Sequence, residues 1–213
     1  MAAKKTAKKT SPKTSGATPI DRIVDAGLEE AAAVGWAHVT MEAVAARADL
    51  ALGEVLLEVS NKTGVLLAFL KRIDARTLGP VKRIDSADSA RDRLFEIVMR
   101  RFDALNDKCE GARAIVTGVS RDPAAALAAL CKLERSFAAM LEAAGISSSG
   151  LVGLARIQGF KAVLAVTLRA WMTDDSADLA KTMAALDRAL NRAEKLAGFA
   201  KFRGRRQEQT ETV

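Results

Sequence analysis

Residues 40–67 constrain the fold more than any other stretch of the chain. They contain two short helical patterns, separated by a break at Asp49-Leu50 and followed by a longer apolar helix. Thr40 is suited to cap the first of these helices and Asn61 the longer one, because their side chains accept hydrogen bonds from the free N–H groups of a first turn. This is the outline of a helix-turn-helix, in which the second short helix would enter a DNA groove.

The composition favours an all-helical protein. Apolar residues make up 49% of the 213 residues, tyrosine is absent, and aromatic residues reach only 4%. Alanine and leucine favour helices, whereas the residues that favour strands are sparse. Such a length allows one large or two small domains with a proper core. We find no signal peptide and no charge-free apolar run of membrane-spanning length, so we expect a cytoplasmic protein.

Few residues could support catalysis or metal binding. His38 is the only histidine, which removes most routes to a catalytic base or a metal site. Cys109 and Cys131 lie far apart without metal-ligand spacing, and we interpret them as small buried residues. The sequence therefore predicts no catalytic residue, no metal, no cofactor and no enzymatic activity.

The positive charge is concentrated at the two ends of the chain. The net charge is +7, and residues 1–19 contribute five lysines without an acid. Residues 201–213 contribute four basic and two acidic residues, so the middle of the chain is neutral. The lysines of the first segment are Lys4, Lys5, Lys8, Lys9 and Lys13. We interpret residues 1–19 as a disordered tail that binds nucleic acid or an anionic membrane, or that only solubilises the protein.

Four segments follow from these patterns. We predict the lysine-rich tail at 1–19, a helix-turn-helix domain at 20–79, a larger helical domain at 80–200 and a basic tail at 201–213. The boundary between the two domains falls at Gly79-Pro80, which ends or kinks a helix.

Residues 23–70 resemble the DNA-binding domain of the tetracycline-repressor (TetR) family of bacterial regulators. The landmarks keep the family's order and spacing, and they are Gly35-Trp36, Thr40, the V-A-x-x-A motif from Val44 to Ala48, Gly53, Lys62 and Val65. The resemblance implies an all-α TetR-like fold and a ligand-responsive homodimer that binds DNA. It places candidate DNA contacts at Thr40, Leu52, Gly53, Glu54, Leu57 and Lys62, with Lys4, Lys5, Lys8 and Lys9 as contacts from the tail.

The surface that should read DNA departs from the family pattern. Residues 48–60 contain three acidic residues and no lysine or arginine. Phosphates repel these acids, and the side chains that most often contact bases are missing. Leu56-Leu57-Glu58-Val59 stands where the family has a tyrosine-rich run. We therefore predict the scaffold of a DNA-binding domain with weakened DNA-reading chemistry.

The helices of the larger domain follow from caps and periodicity. A helix after Ser89 should place Arg93, Arg100 and Arg101 on its solvated face. The next long helix should start at Asp122-Pro123 and run through Leu127, Leu130, Leu133, Phe137 and Leu141 to Gly145. We predict a helix from Leu151 to Trp171 as the most buried one, and a last helix at 177–200. The candidate lining of a ligand cavity is Phe95, Phe102, Phe137, Met140 and Phe160, although apolar residues at this spacing are usually core.

The segment 162–199 resembles the C-terminal domain of the lipid-binding accessory proteins of ubiquinone biosynthesis. The shared features are Trp171, the turn at 174–176, Thr182 and the run Leu186-Asp187-Arg188. Those proteins have the TetR fold but bind lipid tails and do not bind DNA. The resemblance implies an alternative function, in which the chain carries a lipid or quinone and its small domain no longer reads DNA.

The last helix has two candidate roles. Its apolar side could bury itself in a two-fold dimer interface, or it could lie on an anionic membrane with its phenylalanines inserted. The candidate residues for either contact are Trp171, Leu186, Leu190, Phe199 and Phe202. We favour the dimer interface and expect a homodimer, with peripheral membrane contact as the alternative.

Overall fold

The computed structural model describes residues 18–79 and 89–208, with side chains placed as far as residue 196. Within these residues every regular element is helical, which confirms the all-α prediction. The helices are α1 (Pro19–Val34), α2 (Met41–Ala48), α3 (Leu52–Glu58), α4 (Lys62–Leu78), α5 (Ala90–Asn106), α6 (Cys109–Val119), α7 (Pro123–Ala143), α8 (Gly150–Trp171) and α9 (Ala180–Glu208). A single 3₁₀ turn, Trp36–His38, follows α1.

Side-chain caps set the starts of several helices. The Thr40 hydroxyl accepts a hydrogen bond from the Ala43 N–H, and the Asn61 side chain accepts one from the Gly64 N–H. Ser89 and Asp122 cap α5 and α7 in the same way. Because a capping side chain satisfies an otherwise free N–H group, these four positions fix where the helices begin. All four were expected from the sequence.

The first four helices share one core. Ile23 and Leu28 of α1, Val44 of α2 and Val65 of α4 are each no more than 1% exposed. Gly35 ends α1 with a φ of 80°, a conformation that glycine adopts at little cost. The turn that follows inserts Trp36, also 1% exposed, into this core. This shared core holds together the helices of the small domain, α1 to α4.

The larger domain is built around two long helices. α8 packs against α9, and α4, α5 and α7 pack together. α6 packs mainly against α1 and the 3₁₀ turn, and also touches α5 and α7. Its position brings the small domain into direct contact with the larger one.

The start of α9 differs from the prediction. α9 begins at Ala180, not 177, and continues to Glu208 instead of ending at 200. Leu179 adopts a left-handed conformation with a φ of 54°, so the chain cannot enter the helix earlier. Asp174 then caps the helix from a distance, because its carboxylate accepts hydrogen bonds from the Thr182 N–H and hydroxyl at 2.8 and 2.7 Å.

Two expectations about exposed and buried faces were wrong. Arg101, predicted on the solvated face of α5, is only 5% exposed, because Asp74 and Ser136 supply partners for it inside the domain. Cys131 of α7, interpreted from the sequence as a small buried residue, is exposed, as are Leu127 and Leu130 at 64% and 58%. In α7 the smaller alanines face the core instead.

α8 is also less buried than predicted. Leu151, Val152, Leu154 and Val166 are each more than half exposed, while Gly153, Ile157 and Phe160 on the other side are buried. α8 is the one helix among the described residues that is long and apolar enough to cross a bilayer by length and composition, and 33% of its most apolar window is buried. The periodicity identified a helix here but not the partner of its second face.

Candidate nucleic-acid interface

The turn between α2 and α3 is held in a fixed shape. Asp49 adopts a left-handed conformation with a φ of 53°, and the Leu50 N–H donates to the carbonyl oxygen of Ala45. Arg22, in the first turns of α1, donates to the carbonyl oxygens of Ala48 and Asp49, the latter at 2.7 Å. The start of α1 therefore lies beside the turn that leads into α3.

α3 stands out from the small domain as an exposed helix. Val55 is its only buried residue and attaches the helix to the core, together with Val59 just after it. Leu57 is 90% exposed, Leu56 41% and Leu52 36%. A methyl group added to Gly53 would meet nothing within 4 Å. The helix thus presents the surface that a helix-turn-helix offers to a DNA groove.

The acids around α3 confirm the expected charge of this surface. Glu54 and Glu58 are exposed, and the Glu54 carboxylate accepts a hydrogen bond from the Ala51 N–H at 2.9 Å. This bond is one half of a capping box, and the other half is missing because the Ala51 side chain has no oxygen to accept from the Glu54 N–H. Thr40 is exposed, but its hydroxyl already caps α2. The described part of α3 offers leucine methyl groups and carboxylate oxygens, and no cation.

Lys62 does not point to the α3 surface. Its Nζ donates to the carbonyl oxygens of Trp36 and Ala37 at 3.1 and 3.3 Å. The same ammonium lies 5.4 Å from the centre of the Trp36 ring, within range of a cation–π contact. The structure places this predicted DNA contact where it holds α4 to the end of the 3₁₀ turn.

The other basic residues near α3 also have acceptors within the chain. Arg22 forms an ion pair with Asp49 in addition to its carbonyl contacts. Arg47 of α2 binds the Glu30 carboxylate at 2.7 Å. The tail lysines Lys4, Lys5, Lys8 and Lys9 lie outside the described residues. Phosphate contacts from the small domain would therefore have to come from the tail or from rearranged arginines.

The candidate ligand-cavity residues form packed core rather than a cavity. Phe102 lies 6.2 Å from Trp171 between ring centres, and Phe137 meets Phe160 edge-to-face at 5.8 Å. Met140 is fully buried, and Phe95 is partly buried against the same core. Two shallow concavities in the described part of the chain lie elsewhere, one between α8 and α9 and one between α1 and α6. No group of three or more metal-ligating side chains converges within residues 18–79 and 89–196.

A buried ion cluster ties α4 to the larger domain. The Asp74 carboxylate of α4 accepts from Arg101 of α5 at 2.8 Å and from Lys132 of α7 at 3.0 Å. Ser136 adds a hydroxyl hydrogen bond at 2.5 Å. Burial alone would raise the pKa of Asp74, but these hydrogen bonds outweigh it and lower the pKa below its ordinary value. The cluster connects the helix that follows the α3 surface to the core of the larger domain.

Arg113 makes a second connection, between α6 and the turn after α8. Its Nη2 donates to the carbonyl oxygens of Trp171 and Asp174 at 3.0 and 2.6 Å, and its guanidinium lies 5.4 Å from the centre of the Trp171 ring. Asp175 completes an ion pair with it at 3.2 Å. Arginine is suited to this position because its planar fork can bind several oxygens at once.

Three of the predicted dimer or membrane residues are core residues of the protomer. Trp171 and Leu186 are 0% exposed and Leu190 is 5% exposed, because α9 packs its apolar side onto α8. They cannot form a surface contact in this arrangement. The side chains of Phe199 and Phe202 lie outside the described residues. The exposed apolar side chains of this region are those of α8 described above, together with Met183 and Leu196 of α9, which are 42% and 70% exposed.

Solved structures share this arrangement of helices. A TetR transcriptional regulator from Nitrosomonas europaea superposes with a TM-score of 0.70 and 24% identity, over 84% of this chain and 99% of the other. The chain has the TetR fold. A TetR regulator from Rhodococcus sp. RHA1 has a TM-score of 0.56 and 22% identity, over 79% and 93% of the two chains. The fatty acid degradation regulator FadR from Bacillus halodurans has a TM-score of 0.57 and 20% identity, over 86% and 97%.

Two other comparisons gave no match. A scan against models of protein families found no match, and a search of curated proteins found none. The resemblance of residues 162–199 to the ubiquinone-biosynthesis accessory proteins is not confirmed by the comparisons. The TetR fold thus rests on the geometry of the whole chain, and the fold agrees with the resemblance of residues 23–70.

Sequence reasoning missed the residues that connect the parts of the TetR fold. Arg22, Arg113 and Asp74 act through contacts between residues far apart in the chain, which no local pattern reveals. The exposed face of α8 did leave a signal, since apolar residues occur around the whole helix and not on one side. Such a helix requires a partner on each face.

Proposed function

We propose that the protein is a TetR-type transcriptional regulator that binds DNA as a homodimer. The observation that carries this proposal is the exposed helix α3, which Val55 and Val59 attach to a packed core, in a fold shared over 84% of the chain with a transcriptional regulator. The proposed domains are those expected from the sequence, a helix-turn-helix domain at 20–79 and a larger domain at 80–200. We expect no enzymatic activity from this arrangement.

The chemistry of α3 defines the bases that it can read. Leucine side chains make apolar contact with the thymine methyl group in the major groove, and carboxylates accept from the cytosine amino group. Leu57, Leu56 and Leu52 would supply the first kind of contact, and Glu54 or Glu58 the second. Gly53 leaves room for the close approach of a base or sugar. We propose operators whose contacted major-groove edges are thymine and cytosine, not guanine.

The lysine tail would supply the affinity for phosphate that α3 lacks. Its point of attachment, Thr18, caps α1 one turn before Arg22, and Arg22 contacts the turn that leads into α3. The tail thus starts on the side of the domain that faces DNA. The logarithm of the affinity falls as the logarithm of the salt concentration rises, and each phosphate contact makes this negative slope steeper by about 0.9.

The exposed face of α8 supports the homodimer. Large contiguous apolar patches that are exposed on soluble proteins mark interaction surfaces. Two copies related by a two-fold axis would bury Leu151, Leu154 and Val166 against each other, with the exposed side of α9 alongside. This interface would replace the one predicted on Trp171, Leu186 and Leu190.

The proposed ligand is a small apolar molecule in the larger domain. The candidate residues Phe95, Phe102, Phe137, Met140 and Phe160 lie among α5, α7 and α8, so a ligand would have to separate packed helices. Such a separation would strain the Asp74 cluster that joins α4 to α5 and α7. The effect would reach α3 through α4, which follows it directly.

A lipid or quinone carrier is the second candidate function. The observation that favours it is the acidic and apolar surface of α3, which suits DNA poorly. In a carrier, anionic membrane contact would fall to the end of α9. Native mass spectrometry of the purified protein tests this function, because a bound lipid or quinone would appear as added mass on the dimer. A dimer without added mass, and without binding to anionic vesicles, counts against it.

A mobility-shift series on DNA fragments from upstream of genes tests the regulator function. We expect shifts with particular fragments at moderate salt, and loss of those shifts when Lys4, Lys5, Lys8 and Lys9 are changed to glutamine. Leu57→Ala should weaken the specific shifts by about 1–2 kcal/mol, equivalent to roughly 5- to 30-fold, because it removes aliphatic surface that would be buried against the thymine methyl group. Val34→Ala, at a half-exposed position of α1, is the matched control and should leave them unchanged. Equal binding to all fragments would contradict the proposal.

A further inference from the structure

The outer face of α3 is an apolar surface without a partner in the described chain. Leu52, Leu56 and Leu57 lie on a helix of seven residues, and Leu57 is almost fully exposed. A single exposed leucine is ordinary, but three within two turns form a patch of the kind that marks a binding surface. Exposure of this patch to water is unfavourable when no DNA covers it. Binding of another segment or molecule to the patch is therefore favoured.

The charge around the patch defines the chemistry of that occupant. Asp49, Glu54 and Glu58 are exposed at its edges. The nearby cations Arg22 and Arg47 are bound to acceptors of the domain itself, as described above. An occupant that suits the patch therefore combines positive charges with aliphatic surface. Lysine side chains do both, because their methylene stems can lie on apolar surface while the ammonium groups remain in water.

The chain carries such a segment at a suitable place. Residues 1–17 precede Thr18, the cap of α1, and contain five lysines and no acid. Arg22 lies only one helical turn beyond Thr18 and donates to the carbonyl oxygen of Asp49 at 2.7 Å. Asp49 is in turn three residues before the start of α3. The segment therefore joins the domain beside one end of the patch.

The length of the segment matches the distance to be covered. A helix of the length of α3 spans only about 10 Å at 1.5 Å per residue. Lys13 lies five residues before Thr18 and can reach about 17 Å from it in an extended chain, and Lys9 about 30 Å. Both ends of the patch are thus within reach of several lysines. Attachment to the same chain would give the lysines an effective concentration of about millimolar order.

We propose that residues 1–17 dock on the α3 surface of the same chain when DNA is absent. Lysine ammonium groups pair with Asp49, Glu54 and Glu58, and lysine stems cover Leu56 and Leu57. Exposed ion pairs contribute little to stability, so the docked tail remains easy to displace. DNA phosphates would compete for the same lysines. The tail would thus shield the reading surface from unspecific contacts and release it on DNA. The intramolecular contact itself does not depend on the proposed DNA binding.

Zero-length cross-linking of the full chain, without DNA and at low salt, tests the contact. A carbodiimide joins a lysine to a carboxylate only when the two are in contact. We expect peptide mass spectrometry to find Lys4, Lys5, Lys8, Lys9 or Lys13 joined to Glu54 or Glu58 severalfold more often than to Glu96 or Glu110, which are exposed acids of the larger domain. About 0.5 M salt should suppress these links, because it screens exposed charges.

Variants and isotope labels separate the outcomes. In Glu54→Gln/Glu58→Gln the tail links to α3 should disappear, while the control Glu96→Gln/Glu110→Gln should keep them. Cross-linking a mixture of ¹⁴N- and ¹⁵N-labelled protein should give links within one chain only. Tail links spread evenly over exposed acids, or links mainly between chains, would overturn the proposal. Because no DNA is present, failure of DNA binding would leave this result unaffected.

Discussion

Gly118 of α6 lies directly against Trp36, and a methyl group at position 118 would lie 2.5 Å from the Trp36 Cβ. Seven residues earlier on α6, a methyl group at Gly111 would overlap the carbonyl oxygen of Leu28. Glycine at these two positions allows α6 to approach the small domain so closely that backbone and ring are in contact. The larger domain is thereby packed against the base that carries α3.

Gly118→Ala should destabilise the protein despite the higher helix propensity of alanine. Alanine normally stabilises a helix by about 0.5–1 kcal/mol, whereas overpacking against a buried side chain costs about 1–3 kcal/mol. We expect a net loss in the free energy of unfolding, measured by urea denaturation. Gly53→Ala is the control, because position 53 has open space around it. If Gly118→Ala were as stable as Gly53→Ala, the close contact with Trp36 would be refuted.

Asp74→Ala should lower the free energy of unfolding more than the replacement of both Asp74 and Arg101 by apolar residues. The variant leaves Arg101, 5% exposed, without its main acceptor. Breaking a buried ion pair from one side costs about 3–5 kcal/mol, whereas replacement of the pair by apolar residues is often neutral. We therefore expect Asp74→Leu/Arg101→Met to recover much of the lost stability in the same denaturation experiment. A double variant less stable than the single one would contradict this account of the cluster.

Asp174 should make stability depend on pH in the acidic range. Burial opposes its ionisation, but hydrogen bonds from Ser176 and Thr182 outweigh burial and hold the pKa well below its ordinary value. A carboxyl whose pKa is lowered by folding contributes stability that is complete above the unfolded pKa and is lost as pH falls towards the folded pKa. The stability difference between the wild type and Asp174→Asn should therefore shrink as pH is lowered from about 5 to 3.

Urea denaturation at several pH values measures this difference. Asp178→Asn, at an exposed position in the same turn, is the control and should stay within about 0.5 kcal/mol of the wild type. If the cost of Asp174→Asn were the same at pH 7 and at pH 3, the carboxylate would not be the group that caps α9.

The starts of the helices were predictable because they depend on neighbours in sequence. Thr40, Asn61, Ser89 and Asp122 were recognised as caps, and each one performs that role through a residue three positions later. The break at Asp49-Leu50 was predictable for the same reason. The candidate α3 surface and its charge also follow from a run of adjacent residues.

Partners across the fold could not be predicted in this way. Periodicity shows that a helix has an apolar side, but it does not show whether α7, α9 or another chain covers it. Leu186 therefore looked like an interface residue although α9 buries it on α8, and Cys131 looked buried although it is exposed on α7. Arg101 looked solvated because its partner Asp74 is on a different helix.

Leu154→Glu/Val166→Glu should convert the proposed homodimer into a monomer. Both side chains are more than half exposed on α8, and a pair of carboxylates there would repel the same pair on a second copy. Size-exclusion chromatography with light scattering measures the change. Leu127→Glu/Leu130→Glu, at equally exposed positions of α7, is the matched control and should remain dimeric. A monomeric wild type, or dissociation by both variants alike, would rule out α8 as the dimer interface.

The central claim is that α3, supported by the lysine tail, reads DNA sequence. Selection of fragments from a whole genome by the purified full-length protein at moderate salt measures this directly. We predict enrichment of a few sites with two-fold symmetry, loss of that enrichment in Leu57→Ala, and its retention in Val34→Ala. Enrichment of no sequence above the input, with a protein shown to be folded and dimeric, would contradict the claim.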